Sequence, residues 1–296
     1  MSATSPVSRL RDGWQRFWYA PIDAAPLALF GQAFAWTMLI YFVAWARDAD
    51  EWLTAVGYHP PLALDALNGP RLPLLPEAAL PVAGVLVFVS LLAYIFGVGR
   101  RVAVWVLLAA AIYTVFVDRI ASFTINRLFV IGLFVLAIAP EPTPAKTKGA
   151  GAEAGARPQQ VAWPTRMLQL TVIGQYFASG LCKSLHGDWW GGEDVLFVQV
   201  QGIYMTDAAA WLVRTLPYGA WRVQQELALW FELLAPILLG VRRLRPLGFV
   251  LGLGLHFMVA LTMDQLIYFS LQMACFYLLF IPPEWIHRVA DKLGRT

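Results

Sequence analysis

The chain has 296 residues, of which 59% are hydrophobic and only 14% charged, with a formal charge of +3. A soluble domain carries about 25% charged residues, so this composition excludes an ordinary soluble fold, and so small a net charge does not point to nucleic acid. Apolar runs of roughly 17–20 residues recur along the whole length; each is long enough to cross a ~30 Å hydrocarbon core, and none alternates with the period of a membrane strand. The expected fold is all-α: a polytopic membrane helix bundle.

Residues 1–24 carry Arg9, Arg11 and Arg16 beside Trp14, Trp18 and Tyr19. They read as an interfacial amphipathic segment, with no apolar core and cleavage site of a signal peptide. Eight spans follow, at about 25–46, 79–98, 102–118, 121–139, 165–184, 222–240, 246–263 and 266–282. Pro140, Pro164, Pro246 and Pro282 punctuate span ends, where proline costs least. Residues 25–140 hold the first four spans. Residues 141–163, rich in Pro, Ala, Gly, Thr and Lys, read as a flexible cytoplasmic linker. Residues 164–285 hold the last four spans and an outer cap loop at 185–221. That loop contains Trp189, Trp190, Gly191, Gly192, Glu193 and Asp194, then a short helical stretch near Asp207–Thr215. Residues 286–296 form a basic tail.

Charge sets the expected orientation. The N-terminus, 99–101, 140–166, 241–245 and the C-terminus hold fifteen of the 22 Lys and Arg. The opposite connections hold Arg47, Arg71, Arg119, Arg214 and Arg222. By the positive-inside rule both termini are cytoplasmic. Cys182 and Cys275 both fall inside spans, so they read as packing residues and not as a disulfide framework. No metal-ligand spacing, phosphate loop or nucleophile elbow is present.

The informative residues are the charges at depth. Lys183 ends an otherwise apolar helix, and Gln175, Ser179 and Lys183 stand at i, i+4 and i+8 on one face. Glu232 lies about 15 Å below Arg222 along span six, and His256 about 12 Å below Asp264 along span seven. These two reach similar depth, while Lys183, Glu226 and Asp264 sit higher. Asn126 and Arg127 lie one to two turns below the outer end of span four. The charged groups run from the midplane outward, which implies a polar cavity open to the outer face or the outer leaflet. Ionisable residues in a membrane suggest a functional site by default. The catalytic candidates are Lys183, His256 and Glu232; the substrate-binding candidates are Arg127, Asn126, Gln175, Trp189, Glu226 and Asp264. Bland readings stand beside these. Lys183 and Arg127 snorkel to headgroups, Glu232 and His256 form a structural pair, and Gly248-x-x-x-Gly252 serves close helix packing. His59, His186 and His287 fall in loops or at helix ends and read as solvated.

The segment Gln175–Trp189, with Gly180, Lys183 and Trp189, resembles the membrane core of the vitamin K-dependent gamma-carboxylase family and its short bacterial relatives, the HTTM (horizontally transferred transmembrane) domain proteins. The resemblance continues through Trp230-Phe-Glu232-Leu-Leu-Ala-Pro236 and Gly254-Leu-His256-Phe-Met-Val-Ala-Leu-Thr-Met263, and ends at Tyr277-Leu-Leu-Phe280-Ile-Pro-Pro-Glu-Trp285. In the carboxylases the lysine matching Lys183 is the base that acts on reduced vitamin K. The resemblance therefore implies a base at Lys183, an orienting or oxyanion-stabilising group at His256, a quinone-like lipid as cofactor or substrate, and a bacterial inner membrane. Two departures set limits. A second carboxylase histidine has no counterpart, since Ala-Pro-Glu-Pro142 stands there, and the chain ends at Thr296 without a large lumenal domain. Gamma-carboxylation of protein glutamate by this chain alone is not expected.

Two functions compete. One is a redox or oxygenation enzyme acting on a quinone-like or other lipophilic substrate. The other is a non-enzymatic module that binds lipid or serves modification or export of a peptide. The partners implied are membrane lipids, a lipophilic small molecule and a peptide or protein substrate. A transporter is a weaker reading, because no inverted repeat or matched pair of broken helices is visible.

Overall fold

A computed structural model describes residues 6–59, 71–118, 122–143, 157–187, 189–190 and 194–294. Arg119, Asp188, Gly191, Gly192, Glu193 and residues 144–156 of the expected linker lie outside the described residues. Among the described residues the fold is all-α apart from one two-stranded ribbon. Helices occupy all eight segments where apolar runs were read. Three of them, together with the continuous helical stretch Ala25–Leu53, pass as membrane-crossing by length and composition: Glu77–Phe96, Arg100–Val117 and Arg245–Thr262; Thr124–Ile138 is a shorter apolar helix.

In chain order, α1 is Pro6–Tyr19, β1 Pro21–Asp23, α2 Ala25–Trp45 and α3 Ala49–Leu53. Then come α4 (Leu80–Phe96), α5 (Arg100–Val117) and α6 (Thr124–Ile138). After β2 (Gln159–Val161) come α7 (Trp163–His186), the short α8 (Val195–Gln199) and α9 (Asp207–Thr215). Last are α10 (Tyr218–Gly240), α11 (Arg245–Thr262), α12 (Leu266–Tyr277) and α13 (Pro283–Lys292). The chain divides into two compact units, Ala28–Glu141 and Met1–Leu27 with Pro142–Thr296.

In the first of these, α4 turns into α5 through Gly97 and Gly99, whose φ values of +80° and +55° favour glycine. Phe30 stacks on Phe34 along α2, and Phe34 and Tyr41 meet the Phe129 ring of α6 at a tilt. The Arg101 guanidinium donates to the carbonyls of Ala137 (2.9 Å) and Ala139 (2.8 Å) and so satisfies the end of α6. His59 is a correction to its reading as solvated. Its Nδ1 lies 2.7 Å from the Asp118 carboxylate and its Nε2 2.6 Å from the Thr54 carbonyl. Asp118 caps α5 and is buried. A buried carboxylate needs such a donor, and the sequence places the donor 59 residues away in a loop.

In the other unit α7, α10, α11 and α12 pack together. One rim gathers the ends of several helices. β1 pairs antiparallel with β2, Pro21 opposite Val161, which joins the ends of α1 and α7. The Arg166 guanidinium lies over the Phe17 ring at 5.2 Å. Gln169 Nε2 donates to the Leu279 carbonyl at 2.7 Å, and Arg245 donates to the Leu239 carbonyl at 3.0 Å. His287, also read as solvated, instead bonds the Asp23 carboxylate at 2.8 Å and ties α13 to β1. At the far end of α10, Val200, Trp221 and Met263 form a small core against Leu196, Phe197 and Leu212. The Thr206 hydroxyl caps α9 and donates to the Leu261 carbonyl at 2.7 Å.

Candidate functional site

Helices α7 and α10 run antiparallel: Gly180 meets Glu232, and nine residues further along the chain, just past the end of α7, Trp189 meets Gln225. The approach at Gly180 is close. A Cβ there would lie 2.9 Å from both Glu232 Cβ and the Leu233 nitrogen. Side chains on a helix tilt toward its N-terminus. Lys183, one turn past Gly180, therefore leans back toward the contact, while Glu232, on the opposed helix, leans forward to meet it. The Lys183 ammonium lies 2.7 Å from Oε1 and 2.8 Å from Oε2 of Glu232. It also sits 4.4 Å from the centre of the Trp189 ring, in cation–π geometry. The Ser179 hydroxyl, one turn back along α7, is a further neighbour of the carboxylate. The lysine side chain keeps 25% of its surface exposed and the glutamate only 7%. Lys183 thus turns inward onto an acid and does not snorkel outward.

The loop after α7 is fixed from α10. Buried Gln225 donates to the Trp189 carbonyl at 3.1 Å and accepts from the Leu196 amide at 2.9 Å. Arg222 reaches Asp194 at 3.4 Å, and the Trp190 ring meets Trp230 edge-on. Pro236 lies four residues after Glu232 and has no N–H to return to the Glu232 carbonyl, so the α10 backbone is loosened at the acid.

A second polar cluster lies two turns back along α7, roughly 10 Å from the first by helix rise. The Tyr176 hydroxyl is 2.7 Å from His256 Nε2 and 2.9 Å from the Tyr277 hydroxyl. All three residues are buried, and His256 Nδ1 has no hydrogen-bond partner among the described residues. Gly252 and Gly248 make room for this arrangement. A side chain at Gly252 would collide with the Tyr277 hydroxyl and the Phe231 ring, and one at Gly248 would press on Leu238 and Leu239. The close-packing reading of this glycine pair is therefore the one the geometry supports.

A family model for the HTTM domain matches residues 19–285, nearly the whole chain. The chain belongs to the HTTM-domain family. Its apolar helices and this match make it a membrane protein. No curated protein and no solved structure matched in the two further comparisons.

Within the HTTM domain the other sequence candidates separate. Glu232 and His256, expected at one depth, share no hydrogen bond among the described residues. Glu232 engages Lys183, because the lysine stem is long enough to reach a full turn down its own helix, and His256 engages Tyr176. Gln175 is half-buried, and Glu226 and Arg127 are exposed. The Asp264 carboxylate accepts from the Gln265 amide at 2.9 Å and holds the α11–α12 turn, in which Gln265 adopts φ 65°. Asn126 is buried within the other compact unit, near Tyr41. Sequence reasoning left Tyr176, Gln225 and Tyr277 out of the site. The first had a signal, since Tyr176 precedes Lys183 by seven residues and so shares its helix face.

Proposed function

We propose that this HTTM protein is an eight-span protein of a bacterial inner membrane, with both termini cytoplasmic, and that Lys183 and Glu232 handle a proton of a quinone-like lipophilic substrate near the outer face. Helices at all eight apolar runs and the one-sided distribution of Lys and Arg support the topology. The observation that carries the site is the two-oxygen contact between the Lys183 ammonium and the Glu232 carboxylate. Such a pair takes up one proton as a unit. A substrate hydroxyl that enters gives its proton to the carboxylate, and the oxyanion left behind is stabilised by the ammonium. Lys183 is itself the acceptor only after passing a proton to Glu232. The ionised quinol is the electron-rich form from which redox or oxygenation chemistry proceeds. Trp189 supplies a flat apolar wall over the same ammonium.

The second reading is structural, and a specific observation favours it: among the described residues the Lys183 ammonium makes its contacts with Glu232 and Trp189 of its own fold, so the pair also serves as a clamp between α7 and α10. The two readings part on the double variant Lys183→Met/Glu232→Leu in nanodiscs. A clamp alone is replaced by apolar packing with binding of an added reduced naphthoquinone intact. A proton-handling site loses that binding while the fold survives. Retention of quinol binding by the double variant would refute the proposal.

A further inference from the structure

The helices that flank the matched domain carry an apolar surface that stays largely exposed among the described residues. On α1, Val7, Leu10, Trp14 and Phe17 stand at i, i+3, i+7 and i+10 and are all exposed. On α13 and its C-cap, Trp285, Val289 and Leu293 stand at i, i+4 and i+8 and are exposed as well. Both patterns make a continuous stripe along one helix face. The HTTM match runs from residue 19 to 285, so nearly all of α1 and most of α13 lie outside the matched residues.

Three observations say what covers these stripes. The first is direction. α13 departs from the helix that ends at Phe280 with a bend of 103°, so it lies across the end of that helix and cannot continue it. A helix crosswise to an upright one lies parallel to the bilayer surface. The second is charge. On α13, Arg288 and Lys292 border the apolar stripe, and the Arg288 guanidinium rests over the Trp285 ring at 5.7 Å. Glu284 and Asp291 fall further round the helix. On α1, Arg11 borders the stripe, with Arg9 and Arg16 behind it. The third is attachment. The β1–β2 ribbon and the His287–Asp23 bond fasten both helices to one rim of the same compact unit. Apolar residues with flanking cations match the acyl chains and phosphates of an anionic leaflet.

We propose that α1 and α13 form one surface platform seated in the headgroup layer of an anionic phospholipid leaflet, with His287–Asp23 as the fastening between them. The platform is independent of the chemistry at Lys183. Its test uses the full-length protein with Cys182→Ala and Cys275→Ala. Spin labels are placed through Leu10→Cys and Val289→Cys on the stripes, and through Asp12→Cys and Asp291→Cys on the polar faces. Collision with oxygen and with a water-soluble nickel complex is measured in nanodiscs of phosphatidylcholine, with and without phosphatidylglycerol. In anionic discs the oxygen-to-nickel ratio at 10 and 289 exceeds that at 12 and 291 several-fold. Removal of phosphatidylglycerol, or Arg288→Gln/Lys292→Gln, reduces that contrast at 289. Equal ratios on the two faces overturn the proposal. So does a contrast indifferent to lipid charge and to the arginine and lysine. Dipolar broadening between labels in one disc means that a second copy covers the stripe, and overturns it too.

Discussion

Removing one member of the Lys183–Glu232 pair has unequal consequences, and the inequality follows from exposure. Lys183→Met leaves the Glu232 carboxylate with 7% of its side chain exposed; Glu232→Gln leaves an ammonium with 25% exposed and Trp189 still beneath it. An uncompensated buried charge costs about 3–5 kcal/mol. A lone carboxylate escapes only by taking up a proton, which at pH 7 costs about 3–4 kcal/mol from its ordinary range. The lysine has a cheaper exit, because its flexible stem re-aims the ammonium toward headgroups and its cation–π contact remains. We expect a loss of about 3–4 kcal/mol for Lys183→Met and about 1–2 kcal/mol for Glu232→Gln. At about 2–4 °C per kcal/mol, the lysine variant melts roughly 6–16 °C below the parent. The double variant Lys183→Met/Glu232→Leu recovers most of the loss, since an apolar pair replaces an ion pair at little cost. Thermal unfolding of the four proteins in nanodiscs measures all of this. Lowering the pH shrinks the deficit of Lys183→Met, because protonation removes its orphan charge. An equal or reversed order of the single variants, or a double variant as unstable as Lys183→Met, refutes the reasoning.

Gly180→Val drives a Cβ into Glu232 and Leu233; it costs about 1–3 kcal/mol from overpacking, read as a lower melting temperature. Gln225→Leu removes the partners of the Leu196 amide and the Trp189 carbonyl, and hydrogen exchange at residues 194–200 quickens by roughly tenfold for each ~1.4 kcal/mol lost. His59→Phe keeps the ring volume but strips donors from buried Asp118 and from the Thr54 carbonyl, and costs roughly 2–4 kcal/mol of stability by the same melting assay.

What was legible in the sequence was what local pattern determines. Twenty-residue apolar runs fixed the helices, and α9 fell on Asp207–Thr215 as its polar-apolar pattern suggested, with Thr206 as its cap. One helix face was legible in part: of Gln175, Ser179 and Lys183, the last two converge on Glu232. Pairing between helices was not. Depth arithmetic put Glu232 level with His256 but ignored the reach and tilt of the lysine stem, which decides the partner. Nor did any periodic signal connect His59 to Asp118 or Asp23 to His287, since both pairs join loop or end residues far apart in sequence. Gln225 shows the same limit. Its position seven residues before Glu232 was readable, but the loop it pins carries no pattern that names its anchor.

The most direct measurement is native mass spectrometry of the protein released from its own membrane, beside the Lys183→Met/Glu232→Leu variant shown by melting to be folded. The account predicts a stoichiometric quinone-like adduct on the parent and its loss from the variant. The same adduct on both proteins, or none on the parent, contradicts a substrate site at the α7–α10 contact.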